Sequence, residues 1–505
     1  MKMEPIQAPI HSRFEKIEIG QAEFQRLGHE LVDRIAALFH DLPQRPVTTQ
    51  AGPENIRQMI EDIADGSDMG MNADELLEKT ATLLFDHSLF NGHPKFWGYI
   101  TSSPAPIGIL AELLAAAVNP NVGAWVLSPV ATEIEKYTVE WIGKFIGYPA
   151  GGGLLVSGGN MANNICVLAA MRAKAGKKIR KNGLRSLEKP FTLYCSDETH
   201  TWIQKAADLY GLGTDSIRWI ESDEYGRMNT VLLENKIQED LAMDFQPFLV
   251  VGTGGSVSTG SVDPLLEISA ICEKYDLWFH VDGAYGGFAA ALPELQNEFS
   301  GLENADSLAV DPHKWLYTPL EAGCVLVKKP AHLTDTFSYH PPYYNFEQAG
   351  LNYIDYGPQN SRGFRALKVW LTMQYLGMEG HRQLIREDIR LASYAFEKFA
   401  GQEDFEVFTQ HLSITTFRYV PPELKSQSGE KETETWLNHL NQAILNRIET
   451  SGDFFVSKAI IRSKFALRLC IVNFRTTEKD IDPFPAYVRK IGQELARREG
   501  KDWFQ

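Results

Sequence analysis

A lysine at the end of an apolar run is the first place in this sequence where chemistry could begin. In "ADSLAVDPHKWLYT" (305–318) the β-prone segment from Ser307 to Val310 leads to Lys314, set between His313 and Trp315. Such a lysine either snorkels its ammonium to water along an apolar stem or is held inside as a nucleophile. Upstream, "LWFHVDGAYGGF" (277–288) reads as a buried strand ending in Asp282, the position at which open α/β sheets bind ligands. Alone, that carboxylate could equally cap the next turn. Gly283, Ala284, Gly286 and Gly287 favour a ligand, because successive small side chains leave room for a flat group. In "GGGLLVSGGNMANNICVLAAM" (151–171) a strand, two glycines and a helix beginning near Asn160 follow one another. Free N–H groups at such a junction attract phosphate, as they do in many α/β proteins. "YCSDETHTW" (194–202) adds His200, a ring that could stack on a ligand or hydrogen-bond structurally. The chain lacks both G-x-x-x-x-G-K-[ST] and G-x-G-x-x-G, which disfavours a nucleotide-triphosphate or dinucleotide enzyme.

A phosphate cradle, an aromatic ring, an anion and a lysine at the strand ends of one sheet make up the set that pyridoxal phosphate (PLP) needs. "HVDGAYGG", "ADSLAVDPHKWL" and "SGGNMAN", in their order and spacing, resemble the PLP-dependent group II amino-acid decarboxylases, the family of the aromatic-L-amino-acid and glutamate decarboxylases. The similarity runs from "HPKFWGY" (93–99) to "LRLCIVNFRTT" (467–477). The resemblance implies that Lys314 forms the Schiff base, that Asp282 bonds the ring nitrogen, and that His200 stacks on the ring facing the substrate carboxylate. Ala284 would pack on the other face, with Gly159, Asn160, Ser256 and His313 as further cofactor contacts. Asp311 stands where some relatives have asparagine near the phosphate; because a dianion repels a carboxylate, it is expected to turn toward backbone donors.

On the same resemblance, Tyr343, with Tyr344 as its rival, lies on a mobile loop and protonates Cα. Trp97, Tyr99 and Ile100 would line an apolar side-chain pocket suited to an indole or phenol, and Gly123 would leave it roomier. The expected reaction is decarboxylation of tryptophan, tyrosine, phenylalanine or DOPA to the amine. Two alternatives stay open: decarboxylation of glutamate, aspartate or cysteine sulfinate, with an arginine from elsewhere in the pocket, and aldehyde-forming oxidative deamination. Relatives that lose the tyrosine or the histidine tend toward aldehyde, so retention of Tyr343 and His200 favours simple decarboxylation. A homodimer is implied, its active site near the interface and its N-terminal arm wrapped around the partner.

The elements that must position these groups are legible as a rhythm. From residue 96 to 375, helical patterns alternate with short apolar runs such as "GLLVS", "FTLYCS", "PFLVVG" and "GCVLVKK", the signature of a mostly parallel sheet with helices on both faces. The implied fold class is α/β, the fold-type I (aspartate-aminotransferase-like) architecture with a seven-stranded sheet. Residues 1–95 read as a helical arm, in which Phe24, Leu27, Leu31, Ile35 and Leu38 share one face until Pro43 and Pro46 break the pattern. Residues 376–505 read as a small α+β domain around "SITTFRYV" and "KFALRLCIVNF". Between the two regions, the irregular stretch 338–363 is long enough to act as a lid.

With 49 Lys and Arg against 65 Asp and Glu, the net charge of −16 disfavours nucleic acid and anionic membranes as partners. The basic "RAKAGKKIRKNGLR" (172–185) is expected to be a solvated helix end. Five cysteines without a C-x-x-C pair argue against a disulfide framework and against a zinc site, so no metal is expected. "IGILAELLAAAV" (107–118) is too short to span a bilayer and reads as a core helix. The N-terminus has no apolar signal region, and a cytoplasmic location is expected.

Overall fold

The computed structural model describes residues 17–49, 51–64, 70–176, 178–341 and 350–503. Its centre is a seven-stranded sheet of β1 (Gly152–Val156), β2 (Phe191–Ser196), β3 (Ile217–Ile220), β4 (Gln246–Thr253), β5 (Trp278–Asp282), β6 (Ser307–Val310) and β7 (Gly323–Val327), in the order β1-β7-β6-β5-β4-β2-β3. Pairings from β6 through β3 are parallel, whereas β7 runs antiparallel to both of its neighbours, β6 and β1. Strand β1 therefore points the same way as β6, and six strands present their carboxyl ends on one edge.

These strands are almost wholly buried, and alternate residues feed two separate cores because successive side chains leave opposite faces. Val250, Leu308 and Leu326 enter one core, while Leu249, Val251, Ala309 and Val325 enter the other. The short edge strand β3 escapes a sequence reading: it has four residues, two of which, Arg218 and Trp219, are not buried.

The helices used below are α1 (Gln21–Asp41), α2 (Pro106–Val118), α3 (Gly159–Ala175), α4 (Trp202–Leu209), α5 (Pro312–Trp315), α6 (Ala366–Ala400) and α7 (Lys431–Ser451). Helix α1 ends just before Pro43, as its sequence predicts. Among its residues only Leu27 is buried, and Phe24 is 64% exposed. Helix α2 departs from the expectation of a core helix. Gly108 and Ala111 are buried, but Leu110, Leu113, Leu114 and Val118 are at least half exposed: apart from Glu112, which pairs with Lys368, the helix is apolar, and this chain covers one side of it. No helix among the described residues is long and apolar enough to cross a membrane.

Helix α6 links the two regions. It breaks at Gly377 (φ 66°, ψ 174°), a backbone that glycine adopts at little cost. Val369 and Met373 lie in a large-sheet core, while Leu391, Ala395 and Phe399 join the C-terminal core. That second core covers an antiparallel sheet of β8 (Phe405–His411), β9 (Ile414–Tyr419), β10 (Ser457–Ile461) and β11 (Lys464–Cys470), ordered β10-β11-β9-β8 and packed by α7.

Candidate active site

Parallel strand direction gathers the motifs at one edge of the sheet. Gly159, Asn160 and Asn163 at the start of α3, Glu198, His200 and Trp202 after β2, and Thr253, Gly255 and Val257 after β4 wall a single cavity. Asp282, Ala284 and Tyr285 from the end of β5, with Asp311 and Lys314 beyond β6, complete it.

Lys314 sits on the one-turn helix α5, and its Nζ lies 2.9 Å from Asp311 Oδ2. Asp311 thus departs from the expected turn toward backbone donors. Its Oδ2 takes the lysine ammonium, the nearest cation, and its buried Oδ1 has no hydrogen-bond partner. Asp282 is 8% exposed. Its Oδ1 accepts the Ala284 N–H at 3.1 Å and its Oδ2 accepts the Trp202 indole N–H at 2.6 Å. The His200 ring is exposed toward the cavity, and its Nδ1 accepts the Trp202 backbone N–H at 3.3 Å. Loss of surrounding water holds this imidazole below its ordinary pKa, against the opposing pull of the Asp282 carboxylate. Burial raises the Glu198 carboxyl, whose Oε2 is unpartnered.

The residues fit PLP on two observations. Gly158 has φ 136°, and a Cβ on Gly159 would meet Ala284 Cβ and Asp311 Oδ2, each at 2.8 Å. Only glycine keeps this helix start open, so free N–H groups face the cavity where a phosphate would sit. In addition, Thr253 Oγ1, Glu198 Oε2 and Asp311 Oδ1 are buried polar atoms without partners, and native proteins seldom leave such atoms unsatisfied except at functional sites.

Seven of the residues singled out in the sequence, Lys314, His200, Asp282, Ala284, Gly159, Asn160 and Asp311, line this cavity. Others lie elsewhere. Ser256 faces away from it, its Oγ 2.8 Å from Thr259 Oγ1 in a hydroxyl chain that continues to Ser261. His313 stands behind the wall, with Nδ1 2.7 Å from the Ala322 carbonyl oxygen. Trp97 does not line a substrate pocket: it is fully buried in the C-terminal core and donates to Thr476 Oγ1 at 3.1 Å. Tyr99 is 57% exposed, and Ile100 packs on a large-sheet core. Gly123 adds no room, since a Cβ there would lie 2.4 Å from the Asn360 carbonyl oxygen.

Tyr343 and Tyr344 lie outside the described residues. The two ends of their loop are tied down. Arg180 from the basic stretch donates to the Ser338 carbonyl, and the buried Arg362 pairs with Glu135 at 2.5 Å.

Sequence reasoning missed Trp202, Glu198, Thr253 and Arg468. The first two stand inside the quoted "YCSDETHTW", where His200 drew the attention. Arg468 on β11 is 4% exposed, donates to Ser457 Oγ and to the carbonyl of the cavity residue Val257, and pairs with no carboxylate among the described residues. Burial lowers its pKa. A buried guanidinium without an acid partner costs several kcal/mol, which makes it a strong candidate for binding an anionic ligand group.

Comparison with known proteins agrees with this geometry. The family model described as the pyridoxal-dependent decarboxylase conserved domain matches residues 53–420. The chain is 32% identical to the aromatic-L-amino-acid decarboxylase of Bacillus atrophaeus over 490 residues, covering 95% of this chain and 98% of that protein. It is 31% identical to the phenylacetaldehyde synthase of Petunia hybrida, covering 89% of this chain and 90% of the other. Among solved structures it resembles the Catharanthus roseus tryptophan decarboxylase in complex with L-tryptophan, with a TM-score of 0.83 and 25% identity over 94% of this chain and 99% of that one.

Proposed function

This chain belongs to the pyridoxal-dependent decarboxylase family, and from that premise we propose that it converts an aromatic L-amino acid to its amine and CO2. The observation that carries the reading is the single cavity in which Lys314, paired with Asp311, faces a buried carboxylate, a histidine ring and a glycine-opened helix start. Similarity to an aromatic-L-amino-acid decarboxylase over 95% of the chain supports the substrate class.

Bound in this cavity, PLP supplies an electron sink for the pair left behind when the carboxylate departs as CO2. The remaining work falls to the chain. Lys314 would hold the cofactor covalently through its amine. Asp282 would pair with the ring nitrogen and favour its protonated form by charge. His200 and Ala284 would contact the ring, and Gly159 and Asn160 would offer backbone N–H groups to the phosphate. Arg468, a buried cation beside the cavity residue Val257, would anchor the substrate's carboxylate. Tyr343 would deliver the proton to Cα.

We take residues 1–95 as an arm, 96–375 as the cofactor domain and 376–505 as the small domain, with the helix break at Gly377 beside the second boundary. The exposed leucines of α2 support a homodimer, since apolar faces of this kind mark interfaces. The five buried, unpaired cysteines suit a reducing cytoplasm.

The test is to load the protein with PLP, incubate it separately with aromatic and acidic L-amino acids, and identify products by mass spectrometry. Tyramine-, tryptamine- or phenethylamine-type products without hydrogen peroxide are expected. Turnover of acidic substrates alone would overturn the substrate class, and aldehyde with peroxide and ammonia would overturn the reaction type.

A further inference from the structure

The two oxygens of Asp282 are held by donors of different kinds. Oδ1 takes a backbone N–H from Ala284 at 3.1 Å, fixed by the strand end, and Oδ2 takes the Trp202 indole N–H at 2.6 Å. An indole nitrogen donates and cannot accept, and each carboxylate oxygen has two lone pairs, so the two donors occupy one site on each oxygen and leave a site free for a further donor. The two bonds, one to each oxygen, hold the plane of the carboxylate against rotation.

The indole is itself immobilised. Trp202 is 1% exposed, opens α4, and meets the His280 ring edge-on at 6.0 Å and 88°. His280 in turn lies 2.8 Å from Asn163 Oδ1 and 2.9 Å from Ser307 Oγ. A chain of contacts thus runs from α3 through β5 to the indole and ends on Asp282. The titratable and charged groups around Asp282 are His200, Glu198, His280, Cys166, Asp311 and Lys314.

We propose that Trp202 is a positioning residue that fixes the Asp282 carboxylate and aims it at the ring nitrogen of PLP. The inference rests on the reading of Asp282 given above. It assigns the indole a role distinct from its packing, and the two roles separate by substitution. Trp202→Phe keeps most of the ring volume and loses the donor. Trp202→Gln keeps an N–H donor and leaves a void.

The experiment measures three quantities on the full chain: melting temperature of the apoprotein, PLP affinity, and the pH dependence of the visible absorption of bound PLP. For Trp202→Phe the expected result is an apoprotein melting close to wild type, PLP affinity weaker by about tenfold, the loss of one charge-assisted bond, and a displaced absorption titration. If the Phe variant does not fold, Trp202→Met, flexible and without a donor, takes its place. Trp202→Gln should melt lower yet recover the wild-type titration. In an Asp282→Asn background, Trp202→Phe should add no further loss of affinity.

Wild-type affinity and titration in Trp202→Phe, or equal loss in Phe and Gln, would overturn the proposal alone. An Asp282→Asn protein with wild-type affinity and titration would overturn the ring-nitrogen reading, and the proposal with it.

Discussion

The two sides of the Lys314 turn are built on opposite terms. In front, toward the cavity, polar groups outnumber their partners: Asp311 Oδ1, Glu198 Oε2 and Thr253 Oγ1 are buried without a hydrogen bond. Behind it, Asp388 on α6 accepts from Trp315 Nε1 at 2.9 Å, from the Tyr317 hydroxyl and from the Asn473 backbone N–H at 3.3 Å. Those donors flank Lys314 by one and three positions and reach across to the C-terminal region. The difference teaches where rigidity and reactivity are divided. At the rear both oxygens of Asp388 are bonded and brace the backbone, while the front carries unsatisfied groups whose partners come with a ligand.

Four substitutions sharpen or break this contrast, taken from the largest effect down. Lys314→Ala, in front, should abolish the visible absorption of bound PLP and lower the decarboxylation rate by roughly a thousandfold or more, because the nucleophile that holds the cofactor is gone; an unchanged spectrum would remove Lys314 from the reaction. Gly159→Ala should weaken PLP binding by roughly tenfold to a hundredfold, beyond a modest fall in melting temperature, since its Cβ would intrude on Ala284 and Asp311 at a helix start used for phosphate. A loss of apoprotein stability with affinity intact would make Gly159 a packing residue.

Asp388→Asn tests the rear. Burial pushes the Asp388 carboxyl up to about 7, against about 3.9 in an unfolded chain. A raised acid favours the folded state below pH ~4, and that contribution is lost as pH rises toward 7. Asn should lower melting temperature by a few degrees, through donors left short of acceptors, and flatten the fall in stability across that window, as pH-dependent calorimetry would read. An unaltered slope would mean that Asp388 does not titrate there. Trp315→Phe removes one of the three donors and should cost about 1 kcal/mol in a denaturant titration, with PLP affinity unchanged. A large loss of affinity would show that the rear does more than brace.

Much of the front was legible in the sequence because its residues sit at strand ends flanked by glycine or proline, and parallel topology then brings "HVDGAYGG", "SGGNMAN" and "DPHKW" to one edge. The rear was not, since Asp388 and Asn473 lie 74 and 159 residues beyond Lys314 (388 − 314 and 473 − 314) and meet its turn only through the course of α6. Arg468 was hidden in the same way, as one polar residue within "KFALRLCIVNF" whose burial carries no local mark. Trp97 misled because an aromatic residue near a family motif fits a pocket or a core equally well, and the C-terminal core took it. Gly123 misled because a missing side chain reads as space, whereas the Asn360 backbone fills it. Of the fold, the long apolar strands were plain. The edge strand β3 and strands β8 and β10 mix exposed or half-buried positions with buried ones and lack a continuous apolar run.

All five cysteines are buried, and burial pushes the thiols of Cys166 and Cys470 up to about 12 and about 11. Thiolate is the reactive form, so the native chain is shielded twice over from alkylating and oxidising reagents, by access and by protonation. Unfolding removes both shields at once. A chromogenic disulfide reagent should therefore find almost no sulfur in the folded protein and all five in denaturant, which makes thiol counting an intrinsic colorimetric gauge of the unfolded fraction, with no added label.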